Sequence, residues 1–122
     1  MALSRTDELG IQQETTPIGF VLLRVNGWLT IKNKATFENA IEQIHGSDAI
    51  LDMSGLQYMD SAGLGSLLKA YVAAQKYGGR LVLAGLLPRV RDLLQLTKIE
   101  PLFQIYPSVE EATAVLSKAA KA

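Results

Sequence analysis

Apolar residues along this chain follow two rhythms. Phe20–Val25 (FVLLRV), Ala49–Met53 (AILDM) and Arg80–Gly85 (RLVLAG) are short aliphatic runs bounded by turn residues, and they read as strands. Between them, apolar positions recur every three or four residues, as they do on one face of a helix. Phe37, Ala40, Ile41 and Ile44, with Ala35, mark a helix from about Asn33 to His45. Leu64, Leu67, Leu68, Tyr71, Val72 and Gln75 give the inner face of a second helix, with Lys69 and Lys76 off that face. Gly78-Gly79 ends it, because glycine accepts the left-handed conformation of a helix terminus. Leu87-Pro88 opens a third helix whose inner face is Val90, Leu93, Leu94 and Thr97. Ser108 with Glu111 forms a capping box ahead of a fourth, Val109 to about Lys118, carrying Val109, Ala112, Val115 and Leu116.

The remaining stretches fill in the order. Ile11–Glu14 is expected to be an edge strand, paired as a hairpin with Phe20–Val25 across the turn Thr16-Pro17-Ile18-Gly19. Asn26-Gly27 is expected to end the second strand, and Trp28–Ile31 to cross into the first helix. Phe103–Tyr106 is a short last strand. The sum, β-β-α-β-α-β-α-β-α, predicts a single α/β domain: a mixed, mostly parallel sheet with an N-terminal hairpin, right-handed crossovers and about four flanking helices. Residues 1–10 and 119–122 are expected to be flexible, with 11–118 forming the domain.

The stretch around which this order turns is ILDMSGLQYMDSAGLG, Ile50–Gly65. It reads as a buried strand that breaks at Ser54-Gly55, re-enters through Leu56–Met59 and delivers Asp60-Ser61 to the start of the second helix. Asp60 or Ser61 can cap that helix by accepting a bond from a free backbone N–H. Lys76 suits the negative end of its dipole.

Composition narrows the chemistry. At 122 residues and 48% hydrophobic content the chain is one packed domain. Twelve basic and twelve acidic residues leave zero formal charge, which removes the usual electrostatic basis for nucleic-acid binding. It also removes self-repulsion, so a monomer or weak dimer is expected. No cysteine is present, so disulfides, thiol catalysis and thiolate metal sites are out. The N-terminus lacks an apolar signal core and no apolar run approaches a membrane span, so no membrane insertion is expected and a cytoplasmic location fits. No metal motif occurs.

An enzyme finds little support. A nucleophile elbow needs glycine two residues before its serine, where Ser61 has Met59. His45 is the only histidine and falls at a helix end. Gly63–Lys69 superficially resembles a phosphate loop but lacks its spacing. Ser61 then has two readings, helix cap or regulatory phosphorylation site. A phosphate would add about 1.5 to 2 negative charges. The helix N-terminus tolerates them, while neighbouring Asp60 repels them and a docking partner must desolvate them. Ala62, Gly63 and Gly65 are small enough for another chain to approach. Leu56, Met59 and Leu64 can supply apolar contact or belong to the core.

The combination of Asp52-x-Ser54-Gly55, Met59-Asp60-Ser61-x-Gly63-Leu64-Gly65, Gly79-x-Leu81 and the Val90 helix resembles the STAS domain of bacterial anti-sigma factor antagonists, from about Phe20 to Leu116. The resemblance implies a non-enzymatic partner switch without cofactors. An unphosphorylated antagonist binds an anti-sigma factor that is also a serine kinase, and so frees a sigma factor. Phosphorylation at the position of Ser61 ends binding, and a phosphoserine phosphatase restores it. The expected partner-binding set is Thr30, Met59, Asp60, Ser61, Ala62, Gly63, Leu64 and Gly65. Thr30 departs from the family, which often carries an acidic residue after Gly-x-Leu; here Gly27-Trp28-Leu29 precedes threonine. The resemblance equally admits a STAS adaptor in a lipid-transport complex or stress-signalling scaffold.

Overall fold

The computed structural model describes residues 8–121, with the backbone alone for 119–121. Its elements follow the expected order: β1 (Leu9–Thr15), β2 (Val21–Leu29), α1 (Lys34–Glu42), β3 (Ala49–Met59), α2 (Ser61–Tyr77), β4 (Leu81–Ala84), α3 (Pro88–Leu96), β5 (Gln104–Tyr106) and α4 (Val109–Lys121). A short 3-10 turn, Glu100–Leu102, precedes β5. The five strands form one sheet in the order β1-β2-β3-β4-β5. The β1–β2 hairpin is antiparallel and every other pairing is parallel.

Parallel strands bury both faces, so alternate residues face opposite layers. Leu23, Val25, Leu51, Met53 and Leu83 share a core with Phe37, Ile41, Leu67, Val90 and Leu94 of α1, α2 and α3. Leu22, Ile50, Val82 and Ala84, of opposite parity, pack with Phe20 and with Ala112 and Leu116 of α4. The sheet is therefore sandwiched between three helices and one.

Several boundaries differ from expectation, each for a local reason. β1 begins at Leu9, because Leu9 and Gly10 pair with Gly27 and Asn26, so these two residues of the expected 1–10 segment belong to the sheet; residues 1–7 and 122 lie outside the described residues. Asn26-Gly27 does not end β2. The strand runs through to Leu29 across two register shifts against β3, after Arg24 and after Gly27. Gly27 takes φ 101° there, and a Cβ would collide with the Glu8 carbonyl oxygen. Likewise Ser54-Gly55 does not break β3, which is continuous over 11 residues. A Cβ at Gly55 would strike the Asn26 side chain, so this glycine permits close approach within the sheet rather than a turn.

In α2 the buried face is Gly63, Leu64, Ser66, Leu67 and Ala70; Val72 is 60% exposed and Gln75 is exposed as well. Ala35 on α1, Thr97 beyond α3 and Val115 on α4 are also exposed rather than inward. The caps follow expectation where they were specific. Gly78 is left-handed at the end of α2 with Lys76 in its last turn, Pro88 opens α3, and the Glu111 N–H donates to Ser108 Oγ at 3.1 Å. α4 continues to Lys121.

Candidate functional site

The site forms where β3 hands the chain to α2. Leu56, Met59 and Leu64 are buried at 0%, 4% and 8% exposure, so the apolar contacts open to them are made inside the domain. Asp60, half-buried, is the N-cap of α2: its Oδ1 accepts from the Gly63 N–H at 2.8 Å. Its Oδ2 accepts from the Ile31 N–H at 3.1 Å, and its own N–H donates to the Leu29 carbonyl at 3.2 Å. One carboxylate therefore joins the helix start to the loop between β2 and α1. With the cap supplied by Asp60, Ser61 occupies the first helical position. It is exposed, and its hydroxyl has no hydrogen-bond partner among the described residues.

The small residues divide into two roles. Gly63 is buried against β2, where a Cβ would collide with the Leu29 carbonyl and press on Met59. Gly65 faces open space, and Ala62 is half-buried. Of the expected contact set, Asp60, Ser61, Ala62 and Gly65 thus reach the surface together, while Met59, Gly63 and Leu64 hold the scaffold beneath them. From Gly65 an exposed strip continues along α2 through Leu68, Val72 and Tyr77, edged by Lys69 and Lys76.

Thr30 is 8% exposed and shapes the loop instead of presenting a hydroxyl. Its N–H donates to Asn33 Oδ1 at 2.9 Å, its Oγ1 accepts from the Lys32 N–H at 3.3 Å, and Asn33 Nδ2 donates to the Trp28 carbonyl at 2.8 Å. This folded loop places Ile31, 63% exposed, beside Asp60. Trp28 and Tyr58 are cross-strand partners with ring centroids 4.7 Å apart, so Trp28 is half-buried on its neighbour.

Sequence reasoning missed three features. Asn33 organises the loop, signalled only by an asparagine one step before a helix. Ser66, 2% exposed, donates to Glu38 at 2.5 Å, and Lys69 Nζ lies 3.6 Å from the same carboxylate, tying α2 to α1. The Ser66 hydrogen bond, followed by Lys69 and Lys34, holds the Glu38 carboxyl below its ordinary range. Third, Arg89 and Asp92 of α3 share one open groove with Tyr58, Asp60, Ser61 and Leu96. Arg89 has no ion pair or hydrogen bond among the described residues.

Nothing here assembles a nucleophilic triad. His45 stacks on Tyr77 at 4.3 Å, at the opposite end of α2 from Ser61. That is about 24 Å along a helix rising 1.5 Å per residue. No cluster able to hold a metal exists among the described residues. No helix among them is long and apolar enough to cross a membrane.

The fold and site thus define a small α/β domain that presents an unengaged serine at the capped start of a helix. The chain belongs to the STAS domain family, whose model matches residues 12–112. An anti-sigma F factor antagonist of Paenibacillus polymyxa is 26% identical over 102 residues, covering 80% of this chain and 87% of that protein. The structure of an anti-sigma factor antagonist from Mycobacterium paratuberculosis superposes with a TM-score of 0.82 at 23% identity, covering 93% of this chain and 97% of that one. The Bacillus cell fate determinant SpoIIAA in its phosphorylated form gives 0.69 at 23% identity, covering 88% and 99%.

Proposed function

We propose that this chain is a non-enzymatic, cytoplasmic anti-sigma factor antagonist acting by partner switching, with Ser61 as the regulated residue. In the unphosphorylated state it binds an anti-sigma factor with serine kinase activity and so releases a sigma factor. Phosphorylation of Ser61 ends the association and a phosphoserine phosphatase renews it. The observation that carries this reading is the division of labour at the start of α2: Asp60 supplies the cap, which leaves Ser61 exposed and unbonded. A serine needed as a cap would have its oxygen engaged. The names of similar proteins, one an anti-sigma F factor antagonist and one a phosphorylated determinant, support the same assignment.

Exposure supports a partner surface made of Asp60, Ser61, Ala62 and Gly65, continuing past half-buried Leu68 to exposed Val72 on α2. A phosphate added at its centre places about 1.5 to 2 negative charges where a partner must exclude water. Binding of the cognate kinase is expected to survive Ser61→Ala and to weaken at least about tenfold with Ser61→Asp, which costs about 1.4 kcal/mol of association energy. Isothermal titration of both variants checks it, and equal affinities would sink the switch.

A further inference from the structure

We infer that Arg89 is the cation that closes on a phosphate carried by Ser61, so that phosphorylation consumes a charge the groove otherwise displays. This rests on the reading of Ser61 as the regulated residue. Arg89 and Ser61 come from different helices yet line the same open groove, with Tyr58, Asp60, Asp92 and Leu96. Arg24, Arg80 and Arg91 each hold a carboxylate; Arg89 holds none. It stands at the second position of α3, just after Pro88, and is exposed. Its long side chain is free to reorient, and its planar fork of donors suits phosphate oxygens.

The charges around the groove favour this closure. From β3 and its turn come Tyr58 and Asp60; from α3 come Arg89 and Asp92. The β2–α1 loop, bonded to Asp60 through Ile31, carries Lys32 next along the chain. On α2 itself the first charged side chain is Lys69, about two turns away. Before modification, Arg89 lies among two carboxylates, neither of which it grips. A phosphate raises the negative charge of the groove well beyond either, and Arg89 is the cation lining it. The modified groove therefore presents an anion with its arginine folded onto it, where the unmodified groove presents that arginine to a partner.

The test uses the full chain with phosphoserine placed genetically at position 61, so that no cellular kinase is needed. The second ionisation of the phosphate is followed by 31P NMR as a function of pH in the wild-type background, in Arg89→Gln and in Arg89→Lys. A neighbouring cation favours the dianion, so the wild-type midpoint is expected about half a pH unit or more below that of Arg89→Gln, with Arg89→Lys between. Coincident midpoints in wild type and Arg89→Gln overturn the inference. The switch itself is judged separately by kinase binding of the Ser61 variants, so the two failures are distinct. Arg89 is exposed and outside both cores, and unchanged thermal midpoints of the unphosphorylated variants establish that the fold is not the cause.

Discussion

A single carboxylate decides what Ser61 is able to do. Asp60 receives the Gly63 and Ile31 N–H groups at once, so it caps α2 and pins a loop 29 residues away in sequence. Asp60→Ala removes both acceptors and leaves two backbone donors without them. A loss of about 1 to 3 kcal/mol is expected from the urea midpoint, with an unchanged dependence on denaturant. The Ile31 amide should exchange faster with solvent. Asp60→Asn keeps an acceptor oxygen and should lose less. The sequence narrowed the cap to Asp60 or Ser61 but could not choose, since both side chains accept such bonds. The deciding partner, Ile31, belongs to a loop that only the folded chain brings near.

At the scale of elements, α2 carries two glycines two residues apart with opposite duties. Gly63→Ala drives a Cβ into the Leu29 carbonyl and Met59, and a loss of about 1 to 3 kcal/mol is expected in thermal or urea unfolding. Gly65→Ala meets open space and should raise stability by up to about 1 kcal/mol, as alanine favours helix. If the α2 face receives the kinase, the same substitution weakens its binding. The length and ends of α2 were legible from Asp60, Lys76 and Gly78. Its buried face was misphased because Gly63 and Ser66, neither an apolar marker, face inward while Val72 faces out. Ser66 is buried with its polar group satisfied, since its hydroxyl donates a hydrogen bond to Glu38 of α1. Folding lowers the Glu38 pKa below its ordinary value of 4.5, so the contact stabilises the fold fully above that pH and is lost as pH falls through the folded value. Stability measured from about pH 5 down to pH 3 should fall more steeply in wild type than in Glu38→Gln.

For the molecule as a whole, short aliphatic runs alternating with helical periods made the layered α/β architecture readable, and Leu22 against Leu23 or Ile50 against Leu51 fall on opposite faces, as strands buried on both sides require. The two misread turns, Asn26-Gly27 and Ser54-Gly55, are one event. Glycine marked both, but Gly27 takes its left-handed φ at a register shift between β2 and β3 and lies against Glu8, while Gly55 admits Asn26 of β2, contacts between distant segments that local turn signals cannot express. That unbroken β3 runs straight into α2, with Met59 and Leu64 locked in the core on either side of the exposed serine. Ser61 is consequently not available as an extended strand of chain. Any kinase that modifies it must read a shape rather than a string, and a synthetic peptide spanning Leu56–Ser66 should be a poor substrate even at concentrations where the intact domain is phosphorylated readily. Specificity of such an enzyme would then be inherited by every natural or engineered domain that reproduces the surface, however different its sequence, and withheld from unfolded chains that carry the same letters.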